Sequence, residues 1–318
     1  MKPPPPTEQR NPRTRGLDLL STPDLVQTIH LEDHAVAPAV RRALPAIARA
    51  VDAVAAALRQ GGRLIYVGAG TSGRLAALDA AELPPTFGIS PRTVQAVIAG
   101  GRRALTHAVE GAEDDAAAGA RDLRVRKISS RDVIVGLTAS GATPYVRGAL
   151  AYARRRGALT IGIACNARPP IARESRILIV LDTGPEVLAG STRLKAGTAQ
   201  KLALNLLSTA TMVRLGRAYD NWMIGVALSN RKLRRRAVRI LQEATGASVS
   251  QAEQALRLAG HDLPAALVML KRGVNAPQAR RRLEAADGNL RIALGEGGSA
   301  RRSTGAHRGT ARVRNHHG

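Results

Sequence analysis

Apolar residues along this chain keep two different periods. From Val36 to Arg59 they recur at helical spacing (Val40, Leu44, Ile47, Val51, Val54, Leu58), and Gly61-Gly62 closes the segment. Upstream, Ser21-Thr22-Pro23-Asp24 reads as a capped helix start with proline in the first turn. The pattern then switches to short continuous apolar runs: residues 63–68 (RLIYVG), 93–99 (TVQAVIA), 132–137 (DVIVGL), 159–164 (LTIGIA) and 177–181 (ILIVL). Helical patterns at 72–82, 143–156 and 194–215 separate or follow them. Short strands without a polar face, alternating with helices, predict an α/β fold: a doubly wound five-stranded parallel sheet covered on both faces. Ligands of such sheets bind at the carboxyl ends of the strands, here the loops starting at Gly68, Gly100, Thr138 and Cys165. Beyond Trp222 the pattern is wholly helical, with short amphipathic segments at 235–245, 248–259, 263–271 and 276–286 punctuated by Gly246, Gly260 and Gly273. The predicted organisation is an N-terminal arm and short helix (1–35), the α/β domain (36–218), a small all-helical module (219–294) and a disordered basic tail (295–318).

Composition narrows the function classes. The 318 residues are 44% hydrophobic, enough for a sizeable core. Aromatics are only 2% (Phe87, Trp222 and four Tyr), which leaves little for stacking nucleic-acid bases. One cysteine, Cys165, excludes an internal disulfide and a cysteine-based zinc site, and the seven histidines show no paired-ligand spacing. No run approaches about 18 apolar residues, and the start, MKPPPPTEQR, lacks an apolar signal segment. A cytoplasmic protein without a membrane partner is expected. The 48 basic against 24 acidic residues give +24, which favours polyanions in general. The enrichment of Arg and Ala is chain-wide, however, and part of the excess sits in the tail. A composition effect is the simpler reading, specific nucleic-acid binding is not expected, and the arginines at 231–236 read as a solvated face.

Two loops carry candidate chemistry. The first strand runs into Gly68-Ala69-Gly70-Thr71-Ser72-Gly73-Arg74, formally the glycine fingerprint of dinucleotide sites. The acidic ribose ligand that should close the second strand is missing: Ala99-Gly100-Gly101 stands there. Gly70, Thr71 and Ser72 instead suit a compact phosphate or sugar phosphate held by N–H groups and a helix dipole. The third strand repeats this chemistry in Thr138-Ala139-Ser140-Gly141-Ala142-Thr143-Pro144, where Gly141 lets the backbone approach an anion and Thr138, Ser140 and Thr143 offer hydroxyls. A plain alternative is that the hydroxyls only cap helices; two such loops at strand ends make that harder to sustain.

This pair of loops resembles the SIS (sugar isomerase) domain of phosphosugar isomerases and regulators. Longer strings resemble the N-acetylmuramic acid 6-phosphate etherases: 7–11 (TEQRN), 68–75 (GAGTSGRL), 79–88 (DAAELPPTFG), 99–101 (AGG), 108–115 (AVEGAEDD) and 190–201 (GSTRLKAGTAQK), in order from about Thr7 to about Leu294. The resemblance implies a cofactor-free, homodimeric lyase. Such an enzyme removes D-lactate from a phosphosugar substrate in cell-wall recycling, with pockets near the subunit interface. It carries the catalytic carboxylates onto Glu82 and Glu113, as proton donor and base, and includes Lys195 among the substrate-binding residues. Asp18, Glu32, Asp33 and Glu186 lie in family-like strings and are further pocket or interface candidates. No metal site is implied.

The resemblance also sets expectations that structure can test. A general acid needs a raised pKa, so Glu82 should sit in partly apolar surroundings. If residues 72–82 form a straight helix, Glu82 lies roughly 15 Å from the phosphate loop. Either that helix breaks early, or Glu82 serves a site bound mainly by a second subunit. Ala142 departs from the family's usual Arg, with Arg168 as the nearest candidate replacement. Leu83 and Phe87 replace a usual Cys and Tyr. The runner-up from another class is a phosphosugar-sensing regulator that binds without turnover, but residues 1–60 contain nothing resembling a helix-turn-helix.

Overall fold

The computed structural model describes residues 4–226, 228 and 230–296. Helix α1 (Thr22–Asp33) starts on Ser21, whose hydroxyl accepts from the Asp24 N–H, and is followed by α2 (Val36–Arg59). Then come β1 (Leu64–Gly68), α3 (Gly70–Phe87), β2 (Val94–Ile98), α4 (Ala116–Val125), β3 (Val133–Thr138), α5 (Pro144–Arg155), β4 (Leu159–Ala164), β5 (Ile177–Val180) and α6 (Lys195–Arg214). All five strands pair in parallel, in the order β2-β1-β3-β4-β5. The order reverses between β1 and β3, so the two hydroxyl-rich loops leave neighbouring strands at the switch point, where Gly68 is level with Leu137.

Alternation along each strand feeds two cores. Leu64, Tyr66, Val133, Val135, Ile161 and Ile163 pack against α2, α3 and α6, whereas Ile65, Val67 and Ile134 pack against α4 and α5. Burial on both faces explains why the strands read as continuous apolar runs. Two glycines let α3 lie directly on the sheet. A Cβ at Gly68 would fall 2.7 Å from the Gly73 nitrogen, and one at Gly73 would fall 2.5 Å from Ile98 Cγ1.

A third apolar cluster gathers a two-residue ribbon, β6 (Ala218–Tyr219) with β7 (Trp222–Met223), and the helices α7 (Arg231–Thr245), α8 (Val249–Leu258), α9 (Leu263–Arg272), α10 (Ala276–Ala285) and α11 (Leu290–Ala293). The expected basic tail falls outside the described residues from 297 on. Glu296 is placed, and its carboxylate accepts from Tyr219 Oη at 2.8 Å and Lys271 Nζ at 3.0 Å. Among the described residues, no helix is long and apolar enough to cross a membrane.

Candidate functional site

A cleft of about 590 Å³ opens at the carboxyl ends of β1 and β3. Gly70, Thr71 and Ser72 line it from the first loop, and Thr138, Ser140, Ala142 and Thr143 from the second. Glu113 and Asp114 contribute two carboxylates, and Glu8, Gly190 and Thr192 complete the wall.

Both helices that begin here start without a side-chain cap. Ala69 is the N-cap of α3, and Thr143, the N-cap of α5, makes no capping bond. By contrast α4, α7, α8, α9 and α10 each begin on an Asp, Asn or Ser side chain that accepts a backbone N–H. Capping therefore does not account for the two loops. Two helices thus begin at one cleft with uncapped N-terminal ends, whose dipoles favour negative charge there.

The second loop is braced from within. Thr138 Oγ1 lies 2.7 Å from Thr143 Oγ1 and accepts the Gly141 N–H at 3.1 Å, while Ser140 Oγ accepts the Ala142 N–H at 3.1 Å. Asn166, buried, donates to the Ser140 carbonyl at 2.8 Å. Gly141 has φ +75°, and a Cβ there would sit 2.2 Å from Pro169 Cβ, so only glycine fits this turn. In the first loop the Ser72 hydroxyl turns inward and donates to Gln200 Oε1 of α6 at 2.8 Å. Glu113 is exposed, and its carbonyl accepts the Tyr145 N–H at 2.9 Å, tying it to the start of α5.

Two expected residues lie elsewhere. Helix α3 runs unbroken from Gly70 to Phe87 through Pro84 and Pro85, and stops only at Gly88 in the left-handed region. Glu82 is therefore carried away from the cleft. It is exposed and borders a separate cavity of about 320 Å³ with Asp79, Leu83, Lys201 and Asn205. Apolar side chains line that cavity, Phe87, Val213, Trp222 and Met223 among them, but the Glu82 side chain itself is exposed within one chain. The buried carboxylate of that cavity is Asp79, which accepts from Tyr66 Oη at 2.9 Å and Ser208 Oγ at 3.0 Å; burial raises its pKa.

Lys195 is also not a cleft residue. It is fully buried and its ammonium donates to Glu32 Oε2 at 2.5 Å. Glu32 also accepts from Asn11 Nδ2 at 2.8 Å and Arg13 Nε at 2.7 Å, and these partners, Arg13 foremost, hold its carboxyl at about 2. Glu186 accepts the backbone N–H groups of Lys195 and Ala196 at the start of α6, and burial outweighs those bonds to raise its pKa. These candidates brace the wall and do not line it.

Arg168 does not reach the cleft either. Among the described residues, no Lys, Arg or His lines it, so in a chain of net charge +24 the described cleft wall carries three carboxylates and no cation. Among the described residues, no group of three His, Cys, Asp or Glu side chains gathers as a metal site.

Residues 46–154 match the model of the glucokinase regulatory protein N-terminal SIS domain, and residues 111–210 match the SIS domain model. An N-acetylmuramic acid 6-phosphate etherase from Serratia proteamaculans is 55% identical over 91% of this chain and 97% of its own length. The chain belongs to the N-acetylmuramic acid 6-phosphate etherase family. A second member, from Geobacillus thermodenitrificans, is 51% identical over 91% of this chain and 98% of its own length. Among solved structures, a phosphoheptose isomerase from Francisella tularensis is similar at 17% identity and a TM-score of 0.48, over 61% of this chain and 100% of that one.

Sequence reasoning missed Glu8, Gly190 and Thr192 in the cleft of this family member. All three lie in the family-like strings 7–11 and 190–201, so a signal was present. Nothing local showed that the two strings meet.

Proposed function

We infer that this chain cleaves the C3 D-lactyl ether of N-acetylmuramic acid 6-phosphate, giving N-acetylglucosamine 6-phosphate and D-lactate in cell-wall amino-sugar recycling in the cytoplasm. The observation that carries this reading is identity above half to an etherase over nearly the whole length of both chains. The cleft suits the phosphate end of such a substrate: two helices begin at it without side-chain caps, beside the hydroxyls of Thr71, Ser140 and Thr143.

The chemistry then needs two proton-transfer groups. Opening the sugar ring to its aldehyde acidifies the C2 hydrogen, which is α to C1, and leaves the lactyl oxygen on C3 in the β position from which it can depart. A base removes that hydrogen while an acid protonates the departing lactate oxygen, and water adds to the resulting double bond with the roles reversed. Glu113 acts as the base from the cleft. Glu82 acts as the acid and enters from a partner subunit in a homodimer, where the contact covers a carboxyl that is exposed in one chain beside the apolar wall of its own cavity. Elimination of lactate and addition of water leave the sugar with no net oxidation or reduction, so the chemistry calls for no redox cofactor.

Incubation with N-acetylmuramic acid 6-phosphate and assay of D-lactate tests the activity. Release by the wild type, lost in Glu82→Gln and Glu113→Gln, is the expected result. Mixing the two inactive variants should restore roughly a quarter of wild-type activity, because one site of each mixed dimer regains both glutamates. No restoration would remove the shared site. A regulatory reading is favoured only by the match to a regulatory SIS domain and by Ala142 in the phosphate loop; ligand binding without lactate release would select it.

A further inference from the structure

The string at residues 7–11 is not used by the mechanism above, yet the structure ties it down at several points. Thr7 is fully buried and its N–H donates to Asn166 Oδ1 at 3.4 Å, on the same side chain that braces the Ser140 carbonyl. Asn11 caps the next turn through the Arg13 N–H and donates to Glu32. Thr14 Oγ1 donates to the Val187 carbonyl at 2.8 Å. The arm is thus held across the cleft at both ends of the string, and the residue it presents there is Glu8. Glu8 Oε2 lies 3.3 Å from the point where a Cβ at Gly190 would project, and Gly190, at φ +78°, has none.

We propose that Glu8 is a substrate-binding and specificity-determining residue, accepting hydrogen bonds from the uncharged donors of the sugar, its hydroxyls or acetamido N–H. This rests on the phosphosugar reading of the cleft. The argument is electrostatic. The cleft has no cationic side chain and already holds Glu113 and Asp114. A third carboxylate repels both the phosphate and the lactyl carboxylate, so it weakens binding unless it meets neutral donors. The strap is pinned beside the Ser140 loop through Thr7 and Asn166, and the Glu8 carboxylate reaches toward Gly190 on the cleft wall.

The test is calorimetric binding of N-acetylglucosamine 6-phosphate and, separately, of inorganic phosphate, to wild type, Glu8→Ala and Glu8→Gln. Glu8 is exposed, so both variants should keep the wild-type melting temperature. The expected result is a split of opposite sign. Sugar-phosphate affinity falls by about 10- to 100-fold in Glu8→Ala and less in Glu8→Gln, while inorganic phosphate binds equally or more tightly. With substrate, KM should rise more than kcat falls. Unchanged sugar-phosphate affinity in Glu8→Ala overturns the proposal alone, as does a parallel loss of both ligands. Failure of the wild type to bind the sugar phosphate overturns the phosphosugar reading and this proposal with it.

Discussion

Replacing one member of the Glu32–Lys195 pair should not cost the same as replacing the other. Lys195 is fully buried and Glu32 is 7% exposed. Glu32→Gln leaves the Lys195 ammonium in the interior without its counter-charge, which costs about 3–5 kcal/mol. Lys195→Met removes the buried charge itself and keeps most of the volume. Glu32 then retains Asn11 and both Arg13 bonds, so the cost should be about 1 kcal/mol. The double variant should lose less than the sum, with a coupling of about 2–3 kcal/mol. Urea denaturation of the four proteins measures this, and pH supplies a second axis. Because the native Glu32 value of about 2 lies below its ordinary 4.5, the stability it contributes is fully present above about pH 5 and is lost as pH falls toward 2. That contribution is on the order of 2–3 kcal/mol after allowing for screening at exposed Arg13. Glu32→Gln should flatten the acid limb in that window. The raised Asp79 and Glu186 act with the opposite sign, losing stability as pH rises above their ordinary range, and persist in the variant. A Lys195→Met protein as unstable as Glu32→Gln, or strictly additive effects, would refute the buried-charge argument.

Other consequences are equally direct. Gly73→Ala should destabilise by about 1–3 kcal/mol in thermal unfolding, because its Cβ would press on Ile98 and lift α3 from β2. Ala142→Arg should tighten phosphosugar binding about 5- to 10-fold at low salt and less at high salt, since residue 142 is exposed at a cleft without cations; equal affinity at low salt would contradict this. Cys165 is fully buried, and burial followed by the nearby Glu186 and Asp182 carboxylates pushes its thiol up, so it should resist a thiol reagent until the chain unfolds. Rapid labelling of the native protein would show that the α6–sheet layer opens.

Much of the scaffold was legible because its signals are local. The five apolar runs became the five strands within one or two residues, and the helical pattern at 36–59 became α2 over the same residues. Misreadings occurred where local rules met a competing term. The helical pattern was read only over 72–82, yet buried Leu83 and Phe87 in the same core carry α3 through Pro84 and Pro85 to Gly88. Helix α4 went unread because its sequence, AAAGARDLRV, offers only Leu123 and Val125 as large apolar residues; 290–293 spans four residues and the ribbon 218–223 only two per strand. Hydroxyls in the two loops marked the cleft, since a Thr-Ser or Ser-Gly-Ala-Thr turn at a strand end has few other uses.

The charge partners were not legible in the same way. Lys195 sits in a string that looks like binding machinery, but Glu32, 163 positions earlier, claims its ammonium. Glu8 lies in a proline-rich arm with no periodicity, and contacts distant in sequence, Thr7–Asn166 at 159 positions among them, bring it to the cleft. What the sequence alone determined was the order of strands and helices and the pair of hydroxyl-rich loops that line the cleft, because period, turn chemistry and hydroxyl content act over a few residues. Which carboxylates share one cleft, that Glu82 lies on the far side of an unbroken helix, and that Lys195 braces the wall were decided by tertiary packing. Those outcomes depend on distances across the sheet and on how far a rigid helix carries a side chain, and neither is encoded in any short stretch of chain.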